Sequence, residues 1–237
     1  MTYRVLSLFS GIGGIDLGLH RAGGFDTAAF CEIDPFCQCV LASHWPGVPI
    51  YDDITALTAW QLSTDGIAVD VVCGGFPCQP FSTASRGQCV AEDLWPEMFR
   101  IVHAIRPEWV IAENVDKEAI ANAAAGLHVI GYGTYFRRIS ADDAGADHQR
   151  NRWWLIAHSD PESKFRGCID AEVAKLPEVC RGLWGPENYA AAIRVPDGLP
   201  TRMDRSRIEA LGNAVLPQIP EIIGRAILSS TKGGANV

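Results

Sequence analysis

Tyr3-Arg4-Val5-Leu6-Ser7-Leu8-Phe9-Ser10-Gly11-Ile12-Gly13-Gly14 joins a short apolar run to a glycine loop. Residues 3–9 are nearly all apolar, the pattern of a strand buried on both faces. Glycines then let the chain turn tightly, and residues 14–22 read as a helix. A buried strand that runs through glycines into a helix is the opening unit of an α/β fold.

Working outward, the alternation continues. Residues 28–33, 48–51, 69–73 and 109–112 read as further buried strands, and 35–44, 54–62 and 93–105 as helices. Asp34 is placed to cap the helix whose first turn holds Pro35. Residues 134–141 and 152–158 read as two more strands. Between 159 and 200 little periodicity is visible, and Pro161, Pro177, Pro186, Pro196 and Pro200 interrupt the chain. Residues 217–229 form a last helix-like stretch. The expected class is α/β, a mostly parallel sheet with helices on both faces.

Composition sets bounds. With 237 residues, 48% hydrophobic and 20% charged, the chain suits one core with a small appendage. No apolar run is long enough to cross a membrane. Residues 5–19 are interrupted by glycines and Asp16, without a basic leader, so no secretion signal is expected. Eight cysteines without a CxxC pair or zinc-type spacing read as free thiols of a reducing cytoplasm, with no metal site. The formal charge of -8 disfavours phosphate binding unless basic groups cluster. Arg137, Arg138, Arg150 and Arg152, with Arg202, Arg205 and Arg207, are two such clusters.

In parallel α/β sheets ligands bind beyond the carboxyl ends of the strands. The residues there are 10–14, Glu32, 52–53, 74–82 and 113–114, which are the glycine-rich, acidic, Cys-bearing and polar positions of the chain. The glycine loop reads GxGG, without the third glycine that a dinucleotide site prefers. Glu32 stands where a carboxylate would hold a ribose diol. Asp53 is either an acceptor for an adenine amino group or a helix cap. In Gly74-Gly75-Phe76-Pro77-Cys78-Gln79-Pro80-Phe81-Ser82 a cysteine is held between two X-Pro steps, directly after a buried strand. A stiffened, exposed thiol suits a nucleophile. Glu113 ends the next strand, beside that loop, where a carboxyl group can assist attack on a pyrimidine ring.

These ordered motifs resemble the C5-cytosine DNA methyltransferases, most closely compact bacterial or phage members, over residues 3–158 and 202–218. Pro77-Cys78-Gln79 is similar to the nucleophile motif, Glu113-Asn114-Val115 to the acid motif, and Gly212-Asn213-Ala214-Val215 to a late motif that returns to the cofactor pocket. The resemblance implies a Rossmann-like S-adenosylmethionine-dependent methyltransferase fold. It implies cofactor contacts at Phe9, Ser10, Gly11, Gly13, Gly14, Glu32, Ile33, Asp53, Ile54, Pro77, Leu94, Asn213 and Val215. Cys78, Glu113, Arg150 and Arg152 become the catalytic set, with Arg152 supporting Glu113 or the base and Arg150 holding the nucleophile loop. Gln79, Ser82, Arg86, Arg137 and Arg205 become contacts to double-stranded DNA, with residues 79–94 as a lid. Further implications are S-adenosylmethionine as cofactor, no metal, a monomer, and an associated restriction endonuclease as one partner.

Two departures stand out. His148 occupies the glutamine position of the family's Gln-x-Arg-x-Arg. Residues 159–201 are short for a target-recognition lobe, with Trp184, Tyr189 and Arg194 as candidate contacts. Residues 1–158 are thus expected to form the catalytic and cofactor-binding domain, 159–201 a reduced recognition region, and 202–237 a segment returning to the catalytic domain. A tRNA cytosine methyltransferase and a catalytically weak cofactor- or DNA-binding scaffold are the alternative readings.

Overall fold

The computed structural model describes residues 2–77, 93–144, 150–176, 206–207 and 210–233. Seven strands form one sheet in the order β3-β2-β1-β4-β5-β7-β6. They are β1 (Tyr3–Leu8), β2 (Phe25–Cys31), β3 (Ile50–Tyr51), β4 (Val71–Gly75), β5 (Trp109–Asn114), β6 (Gly133–Ile139) and β7 (Arg152–His158). The first five strands pair in parallel. β7 runs antiparallel to both β5 and β6, so the sheet is mixed at one edge. All seven expected strands are present, with ends shifted by a few residues.

Strand pleating divides the core in two. Val5, Val71, Cys73, Ile111, Trp154 and Ile156 face one side. There they meet α1 (Gly14–Ala22), α6 (Phe165–Val173) and α7 (Gln218–Gly233), through Ile15, Leu19, Ile169, Ile222 and Ile223. Leu6, Leu8, Val72, Val110, Ala112 and Leu155 face the other side. They pack on α3 (Ala59–Thr64), α4 (Trp95–Ile105) and α5 (Lys117–Val129), through Leu62, Met98, Val102, Ile120 and Leu127. Two-sided cover is why the strands read as unbroken apolar runs. Helix α2 (Pro35–His44) starts as expected, with the Asp34 carboxylate accepting from the amides of Phe36 and Cys37.

Three readings of the sequence are corrected. The helix expected over 54–62 begins only at Ala59, where the Thr58 hydroxyl accepts from the Gln61 amide. Upstream, Asp53 accepts from the Thr55 amide and hydroxyl and holds residues 54–56 in a turn. Helix α5 lies in a stretch with no expected element, and is capped by Asp116. Helix α6 lies in the stretch taken as loop-rich. Its Phe165, Ile169 and Val173 recur every four residues and are buried, and the Phe165 ring meets the Trp109 ring at 5.3 Å. Phe165, Ile169, Val173 and Leu176 therefore contribute to the core. The prolines at 161 and 177 bracket the helix without entering it.

The C-terminal helix returns across α1. Gly18 allows this approach, because a Cβ there would strike the Pro217 carbonyl oxygen.

Candidate active site

A cleft of about 700 Å³ opens at the carboxyl ends of the parallel strands. It collects most of the residues expected to form a site. The β1 turn contributes Phe9, Ser10, Gly11 and Gly14, and the β2 end contributes Glu32 and Ile33. Asp53 and Ile54 follow β3, Pro77 follows β4, and Leu94 precedes α4. Glu113 and Arg152 come from β5 and β7, and Asn213 and Val215 from the returning segment. A volume of this size suits a small molecule of cofactor dimensions.

The glycine loop is shaped by backbone conformation. Phe9, Gly11 and Gly13 all have positive φ, at 51°, 53° and 82°. Gly13 does not line the cleft. It packs under the Trp45 ring, which a Cβ would overlap. Gly14 lies where a Cβ would come within 3.0 Å of the Val215 side chain, so its bareness lets the returning segment close on the loop. Glu32 braces the same loop. One of its oxygens accepts from the Gly11 amide at 2.7 Å and the other from the Asp34 amide at 2.9 Å. Asp53 caps a turn instead of a helix, and it also lines the cleft.

Below the loop lies a residue that sequence reasoning missed. Asp16 is fully buried in the first turn of α1 and accepts from the Ser7 and Thr27 hydroxyls at 2.8 and 2.9 Å. Burial raises its carboxyl to about 6, against the pull of the two hydroxyls. An acid in a first helical turn normally reads as a dipole partner, so nothing in the sequence marked its burial.

The opposite end of the cleft is built differently. β4 and β5 are register partners with Gly75 opposite Glu113. A Cβ at position 75 would lie 2.8 Å from Glu113 Oε2, so glycine gives the carboxylate its room. Glu113 is only 7% exposed. Arg152 Nε lies 2.7 Å from its Oε1. That contact is an ion pair with poor N–H alignment, and Oε1 has no hydrogen-bond donor among the described residues. Burial pushes the Glu113 carboxyl up to about 7, although Arg152 and Arg150 pull it down.

Asn114 ties this end to the nucleophile segment. Its Nδ2 donates to the Phe76 carbonyl at 2.8 Å, and its Oδ1 accepts from the Asp116 amide. The Leu94 amide donates to the Pro77 carbonyl at 3.3 Å, so both ends of the Cys78-bearing segment meet at the cleft. Cys78, Gln79, Ser82, Arg86, His148, Trp184, Tyr189, Arg194, Arg202 and Arg205 lie outside the described residues.

Two further cysteines, Cys31 and Cys37, line the cleft. Burial, with Glu32 nearby, raises both thiols to about 12, so neither forms a thiolate near neutrality. The described cysteines 31, 37, 39, 73 and 168 are free.

Two arginines have partners that the sequence did not suggest. Arg150 was expected to hold the nucleophile loop. Its hydrogen bonds among the described residues run to the Gly212 and Ala214 carbonyls, at 2.7 and 2.8 Å. Arg137 was expected on nucleic acid. Its guanidinium pairs with Asp170 of α6 at 2.6 Å, a carboxylate also bound by the Tyr135 hydroxyl, and it does not line the cleft. Among the described residues no group of acidic, His or Cys side chains could hold a metal ion, and no helix is long and apolar enough to cross a membrane.

Comparison with known proteins agrees with this geometry. A family model of the C-5 cytosine-specific DNA methylases matches residues 3–181. The Bacillus subtilis Type II methyltransferase M2.BsuMI is 36% identical over 168 residues, covering 65% of this chain and 41% of that protein. M.HgiCII of Herpetosiphon aurantiacus is 27% identical over 232 residues, covering 91% of this chain and 51% of that one. The chain thus spans about half the length of such curated relatives, or less. Among solved structures, a prophage-encoded E. coli protein described as a DNA modification methyltransferase aligns with a TM-score of 0.56 at 30% identity. That match covers 66% of this chain and 47% of that one. The Entamoeba histolytica methyltransferase EhMeth aligns over 100% of both chains with a TM-score of 0.65 at 14% identity, a likeness that shows the fold. With the family model spanning most of the sequence and the acid motif, glycine loop and returning segment gathered at one cleft, the chain belongs to the C-5 cytosine-specific DNA methylase family.

Proposed function

We propose that this chain transfers a methyl group from S-adenosylmethionine to carbon 5 of a cytosine in DNA, with Cys78 as nucleophile and Glu113 as acid. The observation that carries the reading is Glu113. It is a buried carboxyl at a strand's ligand-facing end, raised to about 7 and left with an oxygen lacking a donor among the described residues.

The cofactor end fits an adenosyl ligand. Ile33 is 77% and Val115 56% exposed at the cleft, large apolar side chains left bare for a ligand to cover. Glu32 and Asp53 offer acceptors beside them, and the start of α1 favours an anionic group such as a carboxylate. When bound, S-adenosylmethionine supplies an electrophilic methyl group.

The chain's own residues then do the rest. The target base is turned out of the duplex, as chemistry on a base requires. The Cys78 thiolate bonds to ring carbon 6 while Glu113 donates its proton toward N3, which lets the ring accept charge. Carbon 5 gains nucleophilic character and takes the methyl group. Loss of the carbon-5 proton to a base then breaks the bond to Cys78 and restores the ring. A carboxyl titrating near neutrality is suited to donate and recover a proton. Arg152 holds it in place. In the same reading Gln79, Ser82, Arg86 and Arg205 contact the nucleic acid, residues 159–201 hold the reduced recognition region, and a restriction endonuclease is the functional counterpart.

The test is transfer of labelled methyl groups to duplex DNA and to tRNA, side by side, with wild type and Cys78→Ser. The reading expects label in cytosine C5 of DNA with wild type alone. Transfer only to tRNA, or equal transfer by Cys78→Ser, would contradict it.

A further inference from the structure

We infer that Arg150 is a positioning residue that clamps the returning segment 212–215 into the cleft, so that two arginines at one strand divide the work of holding the two ends of the site. The inference deepens the proposed function and rests on it for the identity of the ligand only.

The geometry begins at the start of β7. Arg150 precedes the strand and Arg152 opens it. Arg152 lies against Glu113, at the acid end. Arg150 Nη2 donates to two backbone carbonyls, Gly212 at 2.7 Å and Ala214 at 2.8 Å, across more than sixty residues of sequence. These carbonyls close a short helical stretch, 210–213, whose terminal oxygens have no partner within the helix itself. A cation there also meets the negative end of the helix.

The residues beside the clamp form a wall of the cleft. Asn213, Ala214 and Val215 all line it. Val215 closes on Gly14 of the glycine loop, and the Pro217 carbonyl closes on Gly18 one turn further along α1. Downstream, α7 is anchored by Ile219, Ile222 and Ile223 in the core. The segment is thus packed on its C-terminal side and held by Arg150 on its N-terminal side. Arg150 ties this wall to the start of β7.

Arg150 and Glu113 also interact, since each charge favours the other. Arg152 lies close enough to repel Arg150, so the two cations and the acid are neighbours at the start of β7. A lysine cannot replace Arg150 fully, because its stem is shorter and its compact ammonium is more strongly hydrated than a guanidinium.

The test uses the full-length protein with Arg150→Ala and Arg150→Lys. Amide hydrogen exchange is read without any ligand, and affinity for S-adenosylmethionine is read by calorimetry. Loss of two charge-assisted hydrogen bonds should speed exchange over 211–217 by about tenfold or more in Arg150→Ala. Exchange in β1 and β5 should not change. S-adenosylmethionine affinity should fall by about tenfold, and kcat by much less than the rise in KM. Arg150→Lys should lie between wild type and Arg150→Ala, and serves alone if the alanine variant does not fold. Unchanged exchange over 211–217, or Arg150→Lys matching wild type, would overturn the clamp. If exchange rises as expected but wild type binds no S-adenosylmethionine, the clamp stands and the proposed ligand falls.

Discussion

Glu32 and Glu113 are two buried carboxylates at the carboxyl ends of strands in one sheet, and the chain treats them in opposite ways. Both oxygens of Glu32 accept backbone amide hydrogens, from Gly11 and Asp34. Glu113 has one off-line guanidinium contact and an oxygen without a donor among the described residues. The first is an acceptor fixed in place by the loop it braces. The second is costly to ionise, and its carboxyl titrates close to neutral pH. A binding carboxylate gains from saturation by donors, whereas an acid needs an unsaturated, desolvated setting. The two ends of the cleft are therefore distinguishable by hydrogen bonding alone.

The contrast breaks most sharply at Glu113. Glu113→Gln should lower methyl transfer by about a thousandfold while leaving S-adenosylmethionine affinity within a factor of about two, measured by labelled transfer and calorimetry. Near-normal turnover would remove the acid role. Gly75→Ala should come next. Its methyl group would crowd Glu113 Oε2, which lies 2.8 Å from the ideal Cβ position. Misplacing a reacting group in this way costs about a hundredfold in kcat, and the fold should survive, as checked by circular dichroism.

At the other end Glu32→Gln puts an amide donor against one of two backbone N–H groups. Cofactor affinity should fall about tenfold, with kcat little changed. A kcat effect as large as that of Glu113→Gln would erase the distinction between the two residues.

A separate expected effect is on stability. The folded Glu113 carboxyl titrates near 7, above its ordinary 4.5. Between those values the folded state holds a proton that the unfolded state has lost. Its contribution is therefore greatest at low pH and fades as pH rises through 7. Urea unfolding at pH 5.5 and 7.5 should show wild type losing about 2 kcal/mol more than Glu113→Gln over that interval. Equal pH dependence in the two proteins would mean that Glu113 titrates normally.

Much of this arrangement is legible in the chain itself. Two-sided strands announce themselves as apolar runs, and the polar residues just beyond them fall at the cleft because a parallel sheet presents all those ends together. Glu113 beside the Cys78 strand follows from strand order alone. Other features depend on tertiary contacts that no local pattern carries. Asp16 looks like an ordinary first-turn acid until β1 and β2 close over it. Arg150 and Arg137 look like equivalent basic residues, yet one reaches the carbonyls of Gly212 and Ala214 and the other Asp170. Helix α6 was hidden by the prolines around it, although Phe165, Ile169 and Val173 carry its period.

The central claim is that Glu113 assists covalent attack by Cys78, and a suicide substrate tests it most directly. A duplex with 5-fluorocytosine at the target position retains fluorine where the proton must leave, so the enzyme cannot release the methylated base. With S-adenosylmethionine present, wild type should form a stable adduct, assigned by peptide mass spectrometry to Cys78. Glu113→Gln should form it at least about a hundredfold more slowly. An active wild-type enzyme that forms no adduct, an adduct on another cysteine, or trapping by Glu113→Gln at the wild-type rate would contradict the account.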